Sequence, residues 1–103
     1  MTKGYWIAGM DVHDPDNYAK EYVSRNAEPI KAFGGRFLVR GGTKTHFEGT
    51  ERQRVVVIEF PSYQAALDCY NSPGYQDALS HRVKYGSGDF VIIEGYDGPQ
   101  PGE

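Results

Sequence analysis

The sequence predicts an α+β domain in which one four-stranded antiparallel sheet carries two helices on one face, in the order β-α-β-β-α-β. Three observations predict it. Four short segments are rich in aromatic and β-branched residues, and two longer segments between them repeat apolar residues at helical spacing. Glycine, proline and capping residues punctuate the joints. With 103 residues the chain has length for one core only. Residues 1–95 are expected to form this single domain, and the Gly- and Pro-rich residues 96–103 a flexible tail.

The first strand is expected in "YWIAGMDV" (Tyr5 to Val12), with Trp6, Ala8, Met10 and Val12 on one side and Tyr5, Ile7, Gly9 and Asp11 on the other. Asp14-Pro15 reads as a helix cap followed by the first helical position. Tyr18, Ala19, Tyr22, Val23, Ala27, Ile30 and Phe33 then recur at helical spacing as far as Gly34-Gly35, which supplies a left-handed close. Pro29 predicts a kink or restart, because its ring opposes the carbonyl of Arg25. The second strand, "RFLVR" (Arg36 to Arg40), is expected to bulge at Gly41-Gly42 and to continue through "TKTHFE" to a turn at "GTER". The third, "RVVVIEF" (Arg54 to Phe60), returns from that turn. Ser62 caps a second helix with Tyr63, Ala66, Leu67 and Tyr70 inward; Ser72-Pro73 interrupts it and caps a continuation carrying Tyr75, Leu79 and Val83. The fourth strand is "FVIIEG" (Phe90 to Gly95).

Both sides of this sheet are apolar. On the third strand Val56, Ile58 and Phe60 oppose Val55, Val57 and Glu59, and on the fourth Val91 and Ile93 oppose Phe90, Ile92 and Glu94. Two helices cover one face, so the other is expected to pack against a second copy as a homodimer, sheet against sheet. Strict alternation in "GGRFLVRGG" places Phe37 and Val39 beneath the helices. It turns Arg36, Leu38 and Arg40 toward the face carrying Glu59, Glu94 and Asp11. An apolar surface with a few charges of both signs suits a cleft for a small organic molecule. The same charges also suit a structural ion pair between Arg40 and Glu59.

The runs "GYWIAGMDVHDPDNYAKEY", "GGRFLVRGG", "FEG", "RVVVIEFPS", "YNSPGYQ", "HRV" and "VIIEG", spread over residues 4 to 95, resemble the bacterial family called domain of unknown function 1330. The resemblance implies a ferredoxin-like subunit that dimerises as an α+β barrel, an architecture shared with cofactor-free monooxygenases, small-molecule isomerases and chlorite-dismutase-like proteins. It implies no settled activity. The family's polar positions match Arg40, Glu59, Arg82 and Glu94 here, and Gly9, where a larger residue is usual, implies a roomier pocket.

Three classes of function follow. In an enzyme, Glu59 or Glu94 accepts a proton, Arg40 holds an anionic group, and His46 exchanges protons at the sheet rim; Arg36, Asp11, Tyr5 and Arg82 are further candidates for substrate binding. A binding module would use the same cleft without chemistry, and a structural dimer would have no ligand. No cofactor is expected: the paired glycines precede no helix that could complete a phosphate site. The histidines have no metal-site spacing, and Cys69 has no partner. A net charge of -3 with dispersed basic residues disfavours nucleic acid, and no run is long enough to span a membrane. The opening "MTKGYWIAGMD" meets charge too early for a secretory signal, so the chain reads as soluble and cytoplasmic.

Overall fold

Strand β1 (Gly4–Val12) lies inside the sheet, hydrogen-bonded to a neighbouring strand along each edge. The computed structural model describes residues 2–103. After β1 comes a helical run in three consecutive pieces: α1 (Pro15–Asn17), a π-helical segment (Tyr18–Val23) and α2 (Ser24–Ala32). Asp14 caps the run as its sequence suggests, accepting from the backbone N–H of Asn17 at 3.2 Å. Gly34, at φ +78°, closes it; its neighbour Gly35 donates to the Ile30 carbonyl at 2.8 Å and has no room for a side chain between Ile30 and Phe60. Strands β2 (Arg36–Arg40) and β3 (Arg54–Phe60) follow, then α3 (Tyr63–Asn71), α4 (Pro73–Tyr85) and β4 (Gly86–Glu94). Ser62 and Ser72 cap α3 and α4, accepting from Ala65 and Tyr75.

The strands stand in the order β2-β3-β1-β4 and every pairing is antiparallel. Together with the helices on one face, this is a ferredoxin-like α+β fold. The core lies between that face and the helices. Trp6, Ile58 and Phe60 from the sheet meet Tyr18, Tyr22, Ile30, Ala66, Cys69, Tyr75 and Ala78. Trp6 organises it: its ring lies 4.9 Å from Phe60, 4.7 Å from Tyr75 and 5.2 Å from Phe90, and its indole N–H donates to the Ala66 carbonyl at 2.9 Å. Among the described residues no helix is long and apolar enough to cross a membrane.

The structure departs from the sequence reading in several places, one of them β4, which begins at Gly86, four residues before the expected Phe90, and ends at Glu94. The helix neither stops nor restarts at Pro29, which is buried inside α2. The irregularity lies upstream, in the π-helical segment that turns both Tyr18 and Tyr22 into the core. The inward stripe of α4 is Tyr75, Ala78 and Arg82, one residue away from the expected Leu79 and Val83, and Val83 is 64% exposed. "TKTHFE" forms no strand; β2 ends at Arg40, and residues 41 to 53 are a loop. Finally, the bulge is at Leu38 and not at Gly41-Gly42: Phe37 faces Ile58, Val39 faces Val57 and Arg40 faces Val56, leaving Leu38 unpaired.

Candidate functional site

The Leu38 bulge decides where the arginines go. One extra residue reverses the parity of everything after it, so Phe37 and Arg40 share the helix-covered side with Val56 and Ile58. Arg40 lays its guanidinium over the Phe37 ring, 4.2 Å from the centroid. Between this part of the sheet and the helices is a slot. Trp6, Ala8 and Met10 of β1, Val56 and Ile58 of β3, Phe37 and Phe90 form its floor, and Tyr18, Tyr22, Val23 and Asn26 its roof. About 490 Å³ of space lies in and around the slot, open solvent at its mouth included. The slot is thin, since only about 40 Å³ is available to the centres of water molecules, enough for roughly three. It shares Tyr18, Val23, Arg40 and Arg54 with a wider vestibule also lined by Val12, Pro15 and Ala19.

Three guanidinium groups reach this slot: exposed Arg40 at its mouth, half-buried Arg54, and Arg82, which is 9% exposed. No carboxylate lines it, and among the described residues none of the three arginines is ion-paired to one. Arg82 instead donates to the Tyr75 hydroxyl at 2.8 Å and lies 5.1 Å from the Phe90 ring and 5.8 Å from that of Tyr22. Burial pushes the Tyr18 phenol up to about 12, with Tyr22 adding to the effect and Arg82 and Arg54 opposing it. Tyr75 is raised further, also mainly by burial, so both stay protonated at neutral pH. Burial likewise raises the Cys69 thiol to about 12, which leaves no thiolate nucleophile.

The other expected site residues are dispersed. Glu59 is on the opposite, open face of the sheet, 3.5 Å from the Tyr5 hydroxyl and 3.9 Å from Arg36, so it does not share a face with Arg40. Asp11 is held by Arg52 at 3.0 Å and by the backbone N–H of Gln53 at 2.9 Å. The Gln53 N–H first, then Arg52, hold its carboxyl below the usual range. Arg52 also pairs with Asp89 at 3.0 Å, its stem crossing Gly9, where an added side chain would collide with it. Gly9 thus makes room for a surface ion pair and does not widen the slot. Glu94 pairs opposite Gly4 on the helix side, exposed at the far end of β4. His46 lies in the exposed loop, hydrogen-bonded at 2.8 Å to the Gly49 carbonyl. None of Glu59, Glu94, His46, Asp11, Tyr5 or Arg36 lines the slot; Arg40 and Arg82 do.

Arg54, Tyr18, Tyr22 and Asn26 were missed by sequence reasoning. Arg54 had a readable signal, since it shares the parity of Val56, Ile58 and Phe60 on β3. Asn26 had none: it occupies a place on the helix where periodicity favours Ala27, which is exposed.

Comparison with known proteins agrees with this architecture. A protein of unknown function from Rhodopseudomonas palustris superposes with a TM-score of 0.68 at 18% identity, covering 90% of this chain and 80% of that one. SnoaB, a cofactor-independent oxygenase from Streptomyces nogalater, gives 0.66 at 12% identity over the whole of both chains. A dimeric ferredoxin-like protein of unknown function from Thermobifida fusca gives 0.50 at 14% identity, covering 90% and 89%. At these identities the likeness is one of fold. No curated protein matches the sequence. The profile of one family does match, over residues 3–96, and the chain belongs to that family, described as Domain of unknown function (DUF1330).

Proposed function

We propose that this chain binds a small, planar organic molecule between sheet and helices, its body in the wider vestibule and its polar end entering the slot, and that two copies associate through the open sheet face. The observation that carries the first part is the slot itself, thin, walled by Trp6, Phe37, Phe90 and Tyr22, and reached by the guanidinium groups of Arg40, Arg54 and Arg82. Flat aromatic walls favour a flat guest, and a few polar groups orient it. The second part is supported by Ile7, Val39, Val91 and Ile93, which expose between 39% and 51% of their surface on the open face. The Thermobifida fusca protein of the same fold, described as dimeric, also supports it. Glu59, Tyr5 and Arg36 then belong to the subunit interface. A catalytic form of the reading is a cofactor-independent enzyme of the monooxygenase or isomerase type. Its support is the fold shared along its full length with the oxygenase SnoaB.

Trp6 is the chain's single tryptophan and lines the slot, which makes it a local reporter. In a thermal-shift screen of planar aromatic metabolites, compounds that raise the midpoint are expected to quench or shift Trp6 emission in proportion to occupancy. Hits that leave Trp6 emission unchanged would put the ligand elsewhere and overturn the slot as its site.

A further inference from the structure

The proton order in the slot can be deduced. Arg82 is a donor only, so the Tyr75 oxygen accepts its N–H at 2.8 Å. Tyr75 is fully buried, and its own O–H needs an acceptor; the Tyr22 oxygen, 2.8 Å away, is the one at hand. The chain therefore runs Arg82 to Tyr75 to Tyr22, each group donating to the next. Besides Tyr75, the Tyr22 oxygen is bonded among the described residues only to the Arg82 guanidinium, which can only donate, and Tyr22 lines the slot. Its O–H is thus left as a free donor, polarised by that buried cation. Arg54 and Arg40 add positive charge nearer the mouth.

We propose that the slot is an oxyanion site: a planar ligand bearing a carboxylate, phenolate or enolate oxygen accepts a hydrogen bond from the Tyr22 hydroxyl, its charge balanced by Arg82 and its two companions. A site with three cations, a terminal donor and no carboxylate offers a neutral donor group only the amide of Asn26 and the phenol oxygens, and is strongly complementary to an anion. This rests on the slot being the binding site, and it goes further by fixing the ligand's charge and the residue that reads it.

The test uses the full chain and calorimetric titration with matched pairs, benzoate against benzamide and 4-nitrophenolate against 4-nitroanisole. The anion of at least one pair is expected to bind about tenfold or more tightly than its neutral partner, and which pair shows it separates a carboxylate from a phenolate or enolate. Tyr22→Phe, which keeps the ring, is expected to weaken that anion about tenfold and change the neutral partner less than about twofold. Equal affinity within both pairs, or an equal loss for anion and neutral probe in Tyr22→Phe, would overturn the oxyanion site while leaving the slot as a binding site. Absence of binding by all four probes would overturn both.

Discussion

Arg82→Met is expected to cost at least about a hundredfold in affinity for planar anions while leaving the unliganded protein as stable as before, or more stable by about 1 kcal/mol. The two effects have one cause. Arg82 is 9% exposed, has no carboxylate partner, and shares its slot with two further cations, so the unliganded fold holds a poorly compensated charge. A hydroxyl at 2.8 Å and two aromatic faces offset part of that burden. Methionine keeps the aliphatic packing, and Tyr75 keeps its bond to Tyr22. Urea denaturation and titration with benzoate would be run on the same preparation. A loss of stability above about 2 kcal/mol would make Arg82 a structural strut, and unchanged affinity would remove it from the site.

Ile7→Lys is expected to halve the mass seen by light scattering at micromolar concentration, from twice 11.5 kDa to the single-chain value, without unfolding the domain. Ile7 lies on central strand β1, faces away from the helices and is 39% exposed, so the core does not need it. In the proposed dimer it packs against the partner's sheet. There a lysine from each copy would bring like charges into the apolar part of the seam, where the nearby acids, Glu59, Asp11 and Asp89, already face Arg36 and Arg52. Circular dichroism would confirm that the variant remains folded. A wild-type chain that is monomeric, or an Ile7→Lys chain that is still dimeric, would remove the open sheet face from the interface.

How much of this was legible in the sequence depended on whether local chemistry was decisive. Asp14, Ser62 and Ser72 cap helices as their types and spacing indicate, and the parity of Trp6, Ile58 and Phe60 reads directly as the helix-covered side. The face of Arg40 was not legible, because the bulge sits at Leu38, an ordinary strand residue, while the paired glycines after Arg40 offered a more obvious place for it. That single residue separates Arg40 from Glu59 and moves the candidate site from one side of the sheet to the other. Arg82 was recognisable as a family position. Its burial was hidden, because Leu79 and Val83 made a more apolar stripe on α4 than the Ala78 and Arg82 that turn inward. The Tyr22–Tyr75–Arg82 chain joins two elements, the π-helical segment and α4, and leaves no mark in any local pattern.

The most direct measurement of where the ligand binds is the nitrogen-15 spectrum of the arginine side chains during a titration with benzoate, each Nε–H assigned by an Arg→Lys substitution. Arg82 and Arg54 line the slot, with Arg40 at its mouth, whereas Arg36 and Arg52 lie on the other face beside Glu59 and Asp11. Arg82, Arg54 and Arg40 are expected to shift together along one saturable curve while Arg36 and Arg52 stay in place. Saturable shifts at Arg36 and Arg52 with Arg82 unmoved would put the ligand on the open face and contradict the slot as its site.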